Sequence, residues 1–267
     1  MKIGQNTKNI LKRFGLLDSL YYFKDEVFSK AYSPMHISYK GHSFDMLGMQ
    51  GDFHESIKHY GCYEPLMMDK AIEIIKSDDI IFDIGGAEGY FSFFASQLND
   101  SPQNIYAFDG SECRGRVFKK NNRIIFDNKV NFIETFLSDH ESKGVITIDS
   151  FIKKENIETV DVVKIDVEGA ELKILKGMRE SIKKFKPHLL IEIHPFYLLN
   201  VEKDNIDELC NFLEDENYSI ELCSNHRGAH RGRVEPWKSV TSKDLYEYCI
   251  KSIPSKHNFA IYCCYGS

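Results

Sequence analysis

No stretch of this 267-residue chain concentrates lysine and arginine enough to read as a phosphate-tracking surface, and the formal net charge is -6. A surface that follows phosphates needs such a concentration, so nucleic acid is not the expected substrate. Long apolar runs are missing as well, and Met1 to Ile10 lacks the charged-then-apolar order of a secretory signal. The expectation is a protein without a transmembrane segment that stays in the cytoplasm. Cys-x-x-Cys pairs are also absent, and seven cysteines are an odd number, which reads as reduced thiols rather than a disulfide framework. Cys263 and Cys264 read as small buried residues at a strand end. There is no internal repeat and no low-complexity segment, and Trp237 is the single tryptophan. What is present, 42% hydrophobic and 28% charged residues, supplies one full core with an addition.

That addition is expected at residues 1–62, ahead of a main domain over 63–267. From Lys8 to Tyr22, Ile10, Leu11, Phe14, Leu17, Leu20 and Tyr21 recur at helical spacing. The spacing predicts an amphipathic helix that packs on its own domain or on a second copy of the chain. Ser33 to Gly61 reads as short strands or an irregular cap, with Ile37, Tyr39 and Phe44 in alternation. Beyond Pro65, strands expected at 80–85, 105–109, 130–136, 162–166, 189–194, 220–223 and 259–264 alternate with helices near 66–76, 90–99, 111–122, 171–184 and 205–216. This order builds an α/β fold with a mostly parallel seven-stranded sheet. No convincing helix separates the last two strands, so the C-terminal strand is expected to run antiparallel.

The densest local signal is Ile80 to Ser92, a buried strand passing through Gly85, Gly86 and Gly89 into a helix. Glycines there let backbone approach a ligand, and the helix start presents free N–H groups. Asp83 ends the strand, and its carboxylate needs a donor such as the ammonium of a methionine-type ligand. A clean G-x-G-x-x-G is lacking, which disfavours a dinucleotide. Asp109 ends the next strand, where an acid can accept both hydroxyls of a ribose. Two acids on neighbouring strand ends frame one nucleoside. Asp166, Glu168 and Glu171 crowd the end of a central strand, and Glu192 and His194 end the strand beside it. His194 reads equally as a strand-end residue and as a chemical group.

Asp83 to Ser92, Tyr106 to Asp109, Phe136 to Asp139, Ile146 to Asp149, Lys164 to Glu171, Lys176-Gly177 and Pro187 to Glu192 occur in an order that resembles FkbM-type methyltransferases, over roughly Tyr63 to His194. The resemblance implies a class I, Rossmann-like fold that uses S-adenosylmethionine, and O-methylation of a sugar or another small metabolite. Carried over by position, Asp83, Gly85, Gly86 and Gly89 hold the methionine part, Asp109 the ribose, and Ser138 with Asp139 the adenine edge. Glu64 stands near the donor entrance and Asp166 shapes the donor site. Gly86 replaces the usual alanine, Glu88 a usual apolar residue, and Asp109 a usual glutamate. Glu88 places a charge near the donor, the feature that favours the alternative of a non-catalytic nucleoside-binding scaffold.

Methyl transfer from a sulfonium requires an aligned acceptor oxygen and a base to remove its proton. Glu168, Glu192 and His194 are the candidates for that base. Related methyltransferases sometimes use Mg2+ to acidify a hydroxyl, and the hard carboxylates here suit it, but no residue is expected as a metal ligand. Residues 226–237 hold two histidines, three arginines and Trp237 in a loop longer than a hairpin needs. Arg227, Arg231 and Arg233 can pair with carboxylate or phosphate, and Trp237 offers a face for a sugar ring, which together describe an acceptor lid.

Overall fold

Alternation of apolar and polar residues from Tyr32 onward produces a hairpin, β1 (Tyr32–Tyr39) and β2 (His42–Met49), closed by Lys40 and Gly41 at φ 48° and 89°. Positive φ at both central positions is what a two-residue hairpin turn needs. Met35, Ile37, Phe44 and Met46 point inward from it and are buried. The computed structural model describes residues 32–49, 52–125, 127, 129–227 and 236–266. The helix expected over Lys8–Tyr22, and Arg231 and Arg233, lie outside the described residues.

Helices α1 (Asp52–Tyr60) and α2 (Pro65–Ile74) lead into the main sheet. Its order begins with β3 (Ile81–Ile84), α3 (Tyr90–Ala95), β4 (Ile105–Asp109), α4 (Glu112–Ile125) and β5 (Asn131–Glu134). A small parallel pair, β6 (Phe136–Leu137) and β7 (Val145–Ile146), precedes α5 (Ile148–Glu155) and β8 (Val162–Ile165). Then come α6 (Glu171–Gly177), α7 (Arg179–Phe185), β9 (His188–Ile193), a short helical stretch over 195–202, and α8 (Ile206–Asp215). The chain closes with β10 (Tyr218–Cys223), β11 (Lys238–Val240), α9 (Ser242–Ser252) and β12 (Phe259–Tyr265).

The main sheet runs β11-β10-β12-β9-β8-β3-β4-β5. Strands β5, β4, β3, β8 and β9 are parallel neighbours, and β12 is antiparallel to both β9 and β10. The expected α/β class and the antiparallel C-terminal strand are therefore both present. Period-two alternation sends successive strand residues to opposite faces. Phe82, Ile84 and Phe108 join one core layer with α5 through α9, while Ile81, Ile105 and Ala107 join another with α2, α3, α4 and the hairpin. The hairpin is tied down by Asn121 of α4, whose side chain bonds both Leu47 N and Leu47 O. Among the described residues, no helix is long and apolar enough to cross a membrane. All seven cysteines are free thiols.

Four expectations are corrected. Among the described residues the sheet has eight strands rather than seven, because Lys238–Val240 adds an edge strand to β10. The strand expected at 130–136 stops at Glu134, and Phe136 turns to pair with β7. The helix expected at 171–184 is broken at Met178, with Gly177 packed so closely on Ser138 that an added Cβ would lie 2.1 Å from its carbonyl oxygen. A helix does separate the last two strands: α9 is nucleated by a capping box in which Thr241 accepts from Asp244 N and Asp244 accepts from Thr241 N. Thr241→Ala should cost about 1 kcal/mol of stability. Chemical denaturation checks this, and an unchanged midpoint would remove the cap from the account of α9.

Candidate functional site

In an open parallel sheet, ligands lie beyond the carboxyl ends of the strands, where strand order reverses. Here that point is β3, with β4 on one side and β8 on the other. The turn after β3 is held by Gly85 N and Gly86 N, which both donate to Phe108 O at the end of β4. Gly85 has φ 84°, and a Cβ there would sit 1.9 Å from Asp166 O, so only glycine lets β3 and β8 deliver their ends side by side. Glu64, Ala87 and Glu168 are non-glycine residues with φ of 50°, 46° and 51°, placing left-handed backbone in three loops around this edge.

Asp83 is fully enclosed. Its Oδ2 accepts from Ser92 N at 3.1 Å and Ser92 Oγ at 2.6 Å, stitching α3 to β3. Among the described residues its Oδ1 has no hydrogen-bond donor, and it faces Lys164 Nζ at 3.5 Å. Burial pushes the Asp83 carboxyl up, against the pull of Lys164. Asp83 thus braces the turn from within rather than lining its open face. Asp109 accepts from Ala87 N at 2.9 Å and Ser111 N at 2.7 Å, so it closes the glycine turn onto β4. Ser138 and Asp139 follow β6, with Ser138 Oγ donating to Asp139 Oδ1 at 3.1 Å.

The charge that Glu88 brings has a neighbour. Desolvation pulls the Arg114 guanidinium down, but Glu88, followed by Asp109, Glu168 and Asp166, holds its pKa above the ordinary value. Glu168 itself is exposed.

Beyond β8 and β9 the acids and histidines predicted from sequence separate into two groups. Glu171, 0% exposed at the start of α6, accepts from Gly169 N and lies 2.7 Å from His194 Nδ1. An ionised carboxylate only accepts, so Nδ1 carries a proton and Nε2 is the free end of the ring. That Nε2 lies 3.5 Å from Glu192 Oε1 and 3.7 Å from Asp166 Oδ1. Burial alone would lower the His194 pKa, but Glu171, Glu192 and Asp166 push it up to about 9. Lys164 is buried between Asp83 and Asp166, and those carboxylates hold its ammonium charged against burial.

The second group centres on Glu192 and Glu64, both buried. Arg227 Nε donates to Glu64 Oε1 at 2.9 Å, and its Nη2 reaches both Glu192 oxygens at 2.8 and 3.0 Å. The guanidinium lies 5.4 Å from the centre of the Tyr63 ring. Burial would raise the Glu64 carboxyl, but His226, Arg227 and Lys164 hold it far below the usual carboxylate range. Arg227 is therefore committed to the wall of the site and does not stand free in a lid. Trp237 packs against the hairpin-side core, with Lys70 Nζ 5.5 Å from its ring centre. Sequence reasoning assigned no role to Glu171 and placed His226 only within the expected acceptor lid. A topological signal existed for His226: β10 runs in the direction of β9, so residues just after Cys223 emerge at the same sheet edge.

A family model described as Methyltransferase FkbM domain matches residues 79–220. No curated protein matches the sequence significantly. Among solved structures, an FkbM methyltransferase from Methylobacillus flagellatus shares 14% identity over 80% of this chain and 55% of its own length, with TM-score 0.47. The chain thus spans about half of that protein. A precorrin-6y C5,15-methyltransferase from Geobacter metallireducens shares 14% identity over 76% of this chain and 87% of its own, with TM-score 0.46. TrmK from M. capricolum, solved with S-adenosyl-homocysteine, shares 16% identity over 74% and 66%, with TM-score 0.44.

Proposed function

The chain belongs to the FkbM methyltransferase domain family, and from that premise we propose that it moves the methyl group of S-adenosylmethionine to a hydroxyl oxygen of a sugar or other small metabolite. The observation that carries this reading is His194, whose Nδ1 is fixed by Glu171 while Nε2 faces Asp166 and Glu192 beyond the strand ends. An alcohol must lose its proton as its oxygen attacks, and a histidine locked in one tautomer beside the donor site suits that task. Glu192 is occupied by Arg227 and Glu168 is exposed, which leaves His194 as the base among the three candidates.

The glycine turn Gly85, Gly86 and Gly89 takes the methionine end of the donor, with Asp83 bracing it from beneath and Glu64 and Asp166 at its sides. Asp109 accepts from the ribose hydroxyls with lone pairs left over from its two backbone bonds, and Ser138 and Asp139 border the adenine. The donor would supply the methyl group for in-line attack by the acceptor oxygen, and His194 Nε2 would take the proton that this oxygen gives up. Arg114, whose charge Glu88 stabilises, offsets the extra acid near the turn, which supports retained donor binding. Buried free thiols fit a cytoplasmic setting.

Calorimetry with S-adenosylhomocysteine tests the donor half. Asp109→Ala should weaken binding by about 1–3 kcal/mol, because two hydroxyls lose their acceptor. Equal affinity in wild type and variant would remove Asp109 from the site, and tighter binding of NADH would overturn the donor assignment.

A further inference from the structure

His226 is 2% exposed, and neither of its ring nitrogens has a hydrogen-bond partner among the described residues. Burying an imidazole that makes no hydrogen bond to the carboxylates facing it is costly, so the gap between them calls for an occupant. Its Nε2 faces Glu192 Oε2 at 3.3 Å and Glu64 Oε1 at 3.6 Å, contacts that attract but do not have hydrogen-bond geometry. Two ligand atoms each about 2.1 Å from one ion stand roughly 3.4 Å apart in a tetrahedron. The two observed separations bracket that value, and the three ligand atoms all lie within 4.8 Å of one another.

We propose that Glu64, Glu192 and His226 form a binding site for one divalent first-row transition-metal ion, of which Zn2+ is the representative. The imidazole nitrogen selects against Mg2+ and Ca2+, which prefer all-oxygen shells. Arg227 takes the part of an outer-shell donor that fixes both carboxylates, with Nε on Glu64 and Nη2 on Glu192. The ion joins three segments far apart in sequence: the residue before α2, strand β9, and the loop after β10. It would therefore clip that loop onto the wall beside His194, whose Nε2 is 3.5 Å from Glu192. The site stands whether or not the chain transfers methyl groups.

Protein stripped with EDTA and titrated with Zn2+ by calorimetry should bind one tight equivalent and gain several degrees in Tm. Co2+ substituted at the same site should give visible absorption of a four-coordinate ion without the near-ultraviolet thiolate band that cysteine ligation would produce. His226→Gln should weaken Zn2+ binding at least a hundredfold, and Glu64→Gln, which keeps the side-chain volume, should do the same if His226→Gln fails to fold. The proposal is overturned if stripped wild type binds neither Zn2+, Mn2+ nor Co2+ at micromolar concentration. It is equally overturned if both variants bind as wild type does, or if the Co2+ spectrum shows thiolate ligation. S-adenosylhomocysteine affinity measured on the same stripped protein reports the donor reading separately.

Discussion

Replacing Gly85 with alanine should unfold the glycine turn after β3, at a cost above about 4 kcal/mol. The new Cβ would lie 1.9 Å from Asp166 O and 2.8 Å from its carbonyl carbon, both rigid backbone atoms at the end of β8. Neither can rotate away as a side chain can, so β3 and β8 must separate where Ile84 and Ile165 are in register. The positive φ of 84° adds strain of about 1–3 kcal/mol for a residue with a Cβ. One position further on, the same substitution meets little: a Cβ on Gly86 would lie 3.2 Å from Ala107 Cβ and 3.5 Å from Asp83 Oδ2, a few tenths of an ångström from ordinary contact. Gly86→Ala should keep its denaturation midpoint within about 1 kcal/mol of wild type. Urea unfolding of the two variants side by side decides the point, and similar midpoints would show that the close approach of β3 to β8 does not govern the turn.

That contrast also marks what the sequence makes legible. The turn at Gly85 to Gly89 is a local object: strand, glycines and helix follow one another within a dozen residues, and the physics that shapes them is visible in their order. The parallel strands are legible for the same reason, as continuous apolar runs between helical patterns. Helix α9 was hidden because Tyr246, Tyr248 and Ile250 surround a core-facing row of Leu245, Cys249 and Ser252, blurring its periodicity. The cluster around Glu192 was hidden for a deeper reason. Arg227 and Glu64 are separated by 163 positions, and no local pattern says that a charged loop residue will pair with a buried acid from the other end of the domain. A run of arginines and histidines reads as solvated surface or as a ligand-binding lid until the strand order carries its start back to the sheet edge. Glu171 was seen as one acid of a crowded strand end, and only the packing of α6 against the end of β9 gives it His194 as a partner.

His194→Asn should lower kcat by about a hundredfold or more on any acceptor hydroxyl that the wild type methylates, with S-adenosylhomocysteine affinity little changed. Asparagine keeps a polar group at the strand end but cannot take a proton, so the loss belongs to the chemical step. The pH profile separates a base from a structural histidine. With its pKa pushed up to about 9 by Glu171, Glu192 and Asp166, His194 carries a proton at neutral pH in the free enzyme, and the form that can act as base accumulates only as pH rises through that value. In metal-free wild type, kcat/KM should therefore climb with pH and level off above about 9, since kcat/KM reports the free enzyme. Glu171→Gln removes the carboxylate nearest the ring while burial, which favours the neutral form, remains. The rising limb should move to lower pH, and the plateau should fall because Nδ1 is no longer held by a charged acceptor. A histidine that merely fills the strand end would leave the limb where it is. If neither the limb nor the plateau moves in Glu171→Gln, and His194→Asn retains wild-type kcat, proton removal belongs to another group.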